Sequence, residues 1–223
     1  MTLRAVLFDA LGTLVALDPP APRLRAALER NTGVDVGEAT AARAFAAEIE
    51  FYLANHMRGG DRDGLASLRD DCAAVLHEAL GMAPGERPAI RRSMLEAIRF
   101  TAFPDAAPSL RDLRERGLSL VVVSNWDLSL SDALEGAGLA GLIDGAVSSA
   151  EVGVAKPAAG PFRAGLALAG VEAAEALYVG DSPDTDIEGA RSAGLRAVLV
   201  ARSGDAPPGI EAVRSLEELP SLF

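Results

Sequence analysis

Lysine is almost missing from this sequence: among its 21 basic residues only Lys156 is not an arginine. Acidic residues number 32, giving a formal net charge of −11, and a diffuse basic surface of the kind that holds nucleic acid is excluded. Cys72 is the one cysteine, so no intramolecular disulfide is possible and a reducing compartment is expected. Its apparently helical surroundings make it a small core residue rather than a reactive thiol. Aromatic residues are only 4%, which leaves the core to aliphatic side chains. No stretch offers the roughly 18 uninterrupted apolar residues of a membrane span. The start lacks a basic segment followed by an apolar run and a small-residue cleavage site. The expectation is a cytoplasmic protein.

What is present is a change of rhythm along the chain. An apolar run at Ala5 to Phe8 reads as a buried strand. From about Pro19 to Arg99 apolar residues recur at three-to-four spacing, interrupted at Gly33, Gly59-Gly60 and Gly81 with Pro84, which predicts about four helices. Beyond Phe103-Pro104 strands and helices alternate. Strands are predicted at Ser119 to Val123, near Leu142 to Val147, at Ala176 to Val179 and at Arg196 to Val200. Helices are predicted around Ala107 to Arg116, Leu128 to Ala137, Gly160 to Ala169 and Ile187 to Ala193. Such alternation implies a parallel sheet with right-handed crossovers. The expected architecture is α/β: a doubly wound, Rossmann-like core at residues 1–16 and 101–223, with an α-helical domain inserted at 17–100.

Four segments carry chemistry. Asp9 ends the first strand and precedes Gly12-Thr13, placing a carboxylate where α/β sheets keep their sites, although Asp is also common in turns. Ser124 and Asn125 end a second apolar strand before a helix start, an arrangement that favours an anion. Nearby Asp127 reads as a helix N-cap. Lys156-Pro157 supplies the single compact ammonium, able to pair with a carboxylate and with phosphoryl oxygens. In Gly180-Asp181-Ser182-Pro183-Asp184-Thr185-Asp186 acids gather after a strand, as hard divalent ions require; Asp184 is as well explained by exposure. His56 and His77 of the helical insert read as polar helix faces, and the arginines Arg23, Arg25, Arg43, Arg58 and Arg62 read as mostly solvated, with substrate contacts from the insert as the alternative.

The four segments, in this order, resemble the haloacid dehalogenase-like (HAD) hydrolases, whose phosphatases open with Asp-x-Asp-Gly-Thr-Leu. The resemblance covers nearly the whole chain and implies a helical cap that selects substrates. It implies that Asp9 is the covalent nucleophile, that Thr13, Ser124, Asn125 and Lys156 orient the loop or hold phosphate, and that magnesium binds Asp9, the Leu11 carbonyl, Asp181 and Asp186. Asp184 is not carried over.

One part departs from the pattern. The family's second Asp, its general acid and base, is here Leu11 in Asp9-Ala10-Leu11-Gly12-Thr13-Leu14. Positioned acid-base catalysis contributes about 10²–10⁴-fold, so a phosphohydrolase without it is slow or acts on good leaving groups such as acyl phosphates. The favoured reading is a magnesium-dependent phosphohydrolase acting on a small phosphorylated metabolite. The alternatives are a 2-haloacid dehalogenase working through an aspartyl ester, since halide leaves without a proton, and a non-catalytic or regulatory protein. Phosphonate-cleaving relatives use a cap lysine for a Schiff base, and the insert has no lysine.

Overall fold

The computed structural model describes residues 2–222. Its sheet has six parallel strands in the order β5-β4-β1-β6-β7-β8. These are β1 (Ala5–Phe8), β4 (Ser119–Ser124), β5 (Gly145–Ser148), β6 (Ala176–Gly180), β7 (Arg196–Val200) and β8 (Ala212–Val213). Strand β1 is in the middle, paired in register with β4 (Phe8 beside Val122) and with β6 (Phe8 beside Val179). From β4 the chain adds β5 on one side, then crosses β1 to build β6, β7 and β8 on the other. The reversal falls at β1, and a crevice opens at the carboxyl ends of strands flanking such a point.

Alternation of side chains across the pleat divides the apolar residues between two faces. Val6, Phe8, Leu120, Val122, Leu177 and Val179 pack on one side with Leu110 and Leu113 of α5 (Ala106–Glu115) and Leu130 and Leu134 of α6 (Leu130–Gly136). Leu7, Val121, Val123 and Tyr178 pack on the other with Phe162 and Leu166 of α8 (Ala159–Ala169) and Ala190 of α9 (Gly189–Ser192). A short helix α7 (Ser149–Val152) leads from β5 towards α8. With both faces covered, every residue of β1 is buried.

The sequence places three local features slightly wrong. Helix α6 starts at Leu130, not Leu128, and Asp127 is not its N-cap: Asp127 Oδ1 accepts from the N–H (2.7 Å) and hydroxyl (2.6 Å) of Ser129, closing a turn ahead of the helix. Strand β5 begins only at Gly145, because Ala140–Leu142 forms a 3₁₀ turn. The helix expected from Ile187 begins instead as a π-helical turn, Pro183–Glu188, with the Ile187 N–H donating to Ser182 O at 3.2 Å.

The second unit, Leu17–Arg99, is helical: α1 (Pro20–Thr32), α2 (Glu38–Asn55), α3 (Arg62–Leu80) and α4 (Arg87–Ala97). Short strands β2 (Val15–Leu17) and β3 (Phe100–Ala102), at the two crossings, pair with each other. The helices are punctuated as their sequence dictates. Asp61 caps α3 by accepting the Gly64 N–H, and Gly33 and Gly81 end α1 and α3 at positive φ. Leu24, Leu28, Phe45, Leu68, Cys72, Leu76, Ile90 and Met94 form its core. Full burial of each such large side chain contributes about 1.5–3 kcal/mol. Of the arginines in question, Arg23 donates to Ala97 O and Arg25 to Val36 O, and Arg58 pairs with Asp71; each thus ties its own unit together.

Glu48 is the exception in this core, 3% exposed and beside the Cys72 thiol. Burial pushes its carboxyl up to about 7, against the thiol hydrogen bond, which lowers it. A carboxyl whose folded pKa lies above its unfolded one is harmless while protonated in both states. Its cost grows as pH rises through 4.5 to 7 and reaches at most about 3 kcal/mol above that window. Glu48→Gln is therefore expected to raise the unfolding free energy at pH 8 and to leave it nearly unchanged at pH 4.5. Urea denaturation at the two pH values measures this, and equal effects at both would contradict the assignment.

Candidate active site

The carboxyl ends of β1, β4 and β6 bring together residues far apart in sequence. Asp9 follows β1 directly and is 6% exposed; its N–H donates to Val179 O across to β6. Ser124, the last residue of β4, donates its hydroxyl to Asp9 Oδ1 at 2.8 Å. Lys156, buried in the loop between α7 and α8, donates Nζ to Asp9 Oδ1 (2.6 Å), Asp186 Oδ1 (2.6 Å) and the Tyr178 hydroxyl (2.8 Å). The single lysine of the sequence is thus the hub of the site. Burial pulls the Lys156 pKa down, but the Asp9 and Asp186 charges outweigh it and hold the ammonium more firmly protonated than usual.

Asp9, Asp181 and Asp186 each turn a carboxylate oxygen to one point, the three oxygens lying within 4.8 Å of one another. Asp181 is exposed as a residue, yet its carboxylate end lies against Gly12: a Cβ on Gly12 would collide with Asp181 Oδ2, and Gly12 has φ +85°. The Gly of the turn after Asp9 thus serves both a backbone conformation and a close approach. Loss of water, and then the charges of Asp9 and Asp186, push the Asp181 carboxyl up to about 6. Burial likewise raises Asp9, opposed by Lys156. Asp186 is brought in by the π-helical turn, its Oδ2 accepting the Ser182 N–H at 3.0 Å. A Cβ on Gly180 would strike the Asp186 side chain.

With all three ionised, three carboxylates facing one ammonium leave two negative charges uncompensated, on hard oxygen donors. That donor set and that charge fit a divalent cation such as magnesium. Both Ser124 and Lys156 engage Oδ1 of Asp9, and neither bond uses Oδ2.

A sequence model described as haloacid dehalogenase-like hydrolase matches residues 3–194. The chain is a haloacid dehalogenase-like hydrolase. It is 32% identical to the mouse haloacid dehalogenase-like hydrolase domain-containing protein 3 over 231 aligned residues, covering all of this chain and 92% of that protein. It is 41% identical to a phosphoserine phosphatase of Thermus thermophilus over 134 residues, 57% of this chain and 53% of that one. The L-2-haloacid dehalogenase of Xanthobacter autotrophicus superposes with a TM-score of 0.68 at 25% identity, covering 99% of this chain and 98% of that one.

The remaining residues singled out from this hydrolase's sequence lie as follows. Leu11 is 40% exposed on the turn after Asp9. Thr13 is fully buried, and its Oγ1 has no partner among the described residues. Asn125 does not turn its amide freely to an anion: Nδ2 donates to Lys156 O at 3.0 Å and Oδ1 accepts the Lys156 N–H at 2.7 Å, fixing the backbone that carries the ammonium. Tyr178 was not legible as a site residue, because a tyrosine in an apolar strand reads as core. Its phenol lies 3.0 Å from Asp186 Oδ1 and 3.1 Å from Val123 O, and burial followed by the Asp186 charge keeps it neutral. Among the described residues no helix is long and apolar enough to cross a membrane.

Proposed function

We propose that this hydrolase is a magnesium-dependent phosphohydrolase that works through an aspartyl-phosphate on Asp9, with the helical unit as its substrate-selecting cap and a small phosphorylated metabolite as substrate. The observation that carries the reading is the doubly negative cluster of Asp9, Asp181 and Asp186 around a single buried ammonium. The naming of a Thermus relative as a phosphoserine phosphatase agrees with it.

In this mechanism Asp9, the Leu11 carbonyl, Asp181 and Asp186 would hold the ion, which would supply positive charge against the repulsion between the carboxylate and an incoming phosphoryl group. Asp9 Oδ2 attacks phosphorus, the bond to the leaving oxygen breaks, and water then cleaves the acyl phosphate. Ser124 and Lys156 hold Asp9 through Oδ1; in this proposal they also bind phosphoryl oxygens, with Thr13 orienting the turn. Leu11 brings no proton, so the leaving oxygen departs as an anion, which suits acyl phosphates better than alkyl esters.

The exposed Leu11 in the acid position also keeps the dehalogenase reading in play, because halide departs unprotonated. One experiment separates the two: acetyl phosphate, p-nitrophenyl phosphate and 2-chloropropionate are each incubated with magnesium or with EDTA. Phosphate release that needs magnesium and is fastest with acetyl phosphate is expected. Halide release that persists in EDTA would overturn the proposal. Leu11→Asp is expected to raise turnover of alkyl phosphates by about 10²-fold or more.

A further inference from the structure

Four segments of the sheet-bearing unit meet at one ion pair, Arg202 with Asp105, that the proposed chemistry does not use. Arg202, two residues past the end of β7, donates Nε to Gly12 O at 3.2 Å and Nη2 to Thr13 O at 2.6 Å. Its Nη1 donates to Asp105 Oδ2 at 2.9 Å, and the guanidinium carbon lies 3.8 Å from the centre of the Phe103 ring. Asp105 is held in turn, for the same oxygen accepts the Ser215 hydroxyl (3.0 Å) and the Leu216 N–H (2.9 Å). Asp105 is buried and the pair is largely withdrawn from water, with side chains 22% and 11% exposed.

A guanidinium fork on two successive carbonyls does what a single cation does not. It holds the Gly12–Thr13 peptide, which the small Gly12 at positive φ leaves less constrained, and adds a second anchor to the Thr13–Leu14 peptide. Inside the turn the Gly12 N–H donates to Val15 O, and the N–H groups of Leu14 and Val15 donate to Ala10 O. These bonds tie the turn to itself; Arg202 ties it to the end of β7 and to the entry of α5.

We propose that Arg202, aligned by Asp105, is a positioning residue for the nucleophile turn, setting the reach of Asp9 and of the Leu11 carbonyl; its kinetic consequence rests on the phosphohydrolase reading above. A structural brace alone would lower stability and leave the chemistry of the folded enzyme intact. A positioning residue instead lowers kcat in the folded enzyme.

The test uses the full chain and the variants Arg202→Gln, Arg202→Lys and Asp105→Asn. Three quantities are read: kcat and KM for acetyl phosphate with magnesium, thermal midpoint, and amide hydrogen exchange of peptides covering residues 10–15. For Arg202→Gln kcat is expected to fall about 10–100-fold with KM little changed. Exchange is expected to quicken in the turn and not in the helices of residues 17–99. Arg202→Lys, able to reach one carbonyl, falls between that variant and the unmodified chain, and Asp105→Asn loses less because the fork is kept. Unchanged exchange in the turn, or a lowered thermal midpoint with wild-type kcat, overturns the proposal. If Arg202→Gln does not fold, Arg202→Lys and Asp105→Asn decide by the same measures. If the unmodified chain hydrolyses none of the phosphates, the phosphohydrolase reading fails, and the brace is judged by exchange alone.

Discussion

Asp9→Asn is expected to abolish turnover, by at least about 10⁴-fold, while leaving the chain folded. Asparagine keeps the shape of the side chain and can still accept from Ser124, but its amide does not form an acyl phosphate. The effect on stability is expected to be small for a definable reason. Burial and the Asp186 charge disfavour the Asp9 carboxylate, so its removal relieves two costs, while Lys156 loses one of two charged partners and keeps Asp186. Phosphate release from acetyl phosphate together with a thermal melt measures both quantities. Turnover surviving at wild-type levels would mean that Asp9 is not the nucleophile.

Lys156→Met is expected to have the largest effect on stability. Among the described residues the ammonium is the cation paired with the buried carboxylates of Asp9 and Asp186, at 2.6 Å from each. Removing one partner of a buried ion cluster strands the others, at a cost of about 3–5 kcal/mol. The sign of the pH dependence follows. Buried carboxylates without a counter-charge have folded pKa values above their unfolded ones, so the variant binds more protons folded than unfolded. Its deficit against the wild type is therefore smallest in acid and grows as pH rises through the carboxylate range. Magnesium is expected to recover part of the loss, since saturation at about 100 times its Kd adds about 2.7 kcal/mol to any state that binds it. Denaturant titrations at pH 5 and pH 8, with and without magnesium, test all three expectations. Equal stability of variant and wild type at pH 8 would show that Lys156 does not hold the cluster together.

Much of this site is legible in the primary structure, for a physical reason. An apolar run that must be buried on both faces stops where a polar side chain is needed, so Asp9, Ser124 and Asp181 mark the carboxyl ends of β1, β4 and β6. The rarity of lysine marks Lys156, and helical spacing marks the inserted unit and its glycine stops. Periodicity and punctuation are local properties, and they survive in one dimension.

What the tertiary structure decided depends on strand order, which no local pattern encodes. Because β1 lies between β4 and β6, Ser124 and Lys156 converge on the same oxygen of Asp9 from 115 and 147 residues away. Asn125 is turned to the Lys156 backbone rather than outward, and a core tyrosine becomes a partner of the ammonium. The π-helical turn delivers Asp186, where spacing alone suggested an ordinary helix start. Arg202 and Asp105 are unremarkable in sequence, one arginine of many and one aspartate before a helix. They meet across 97 residues only because the end of β7 and the entry of α5 lie beside the turn after Asp9. Sequence determined which chemical groups stand at the strand ends; packing of the sheet determined which atoms of those groups meet.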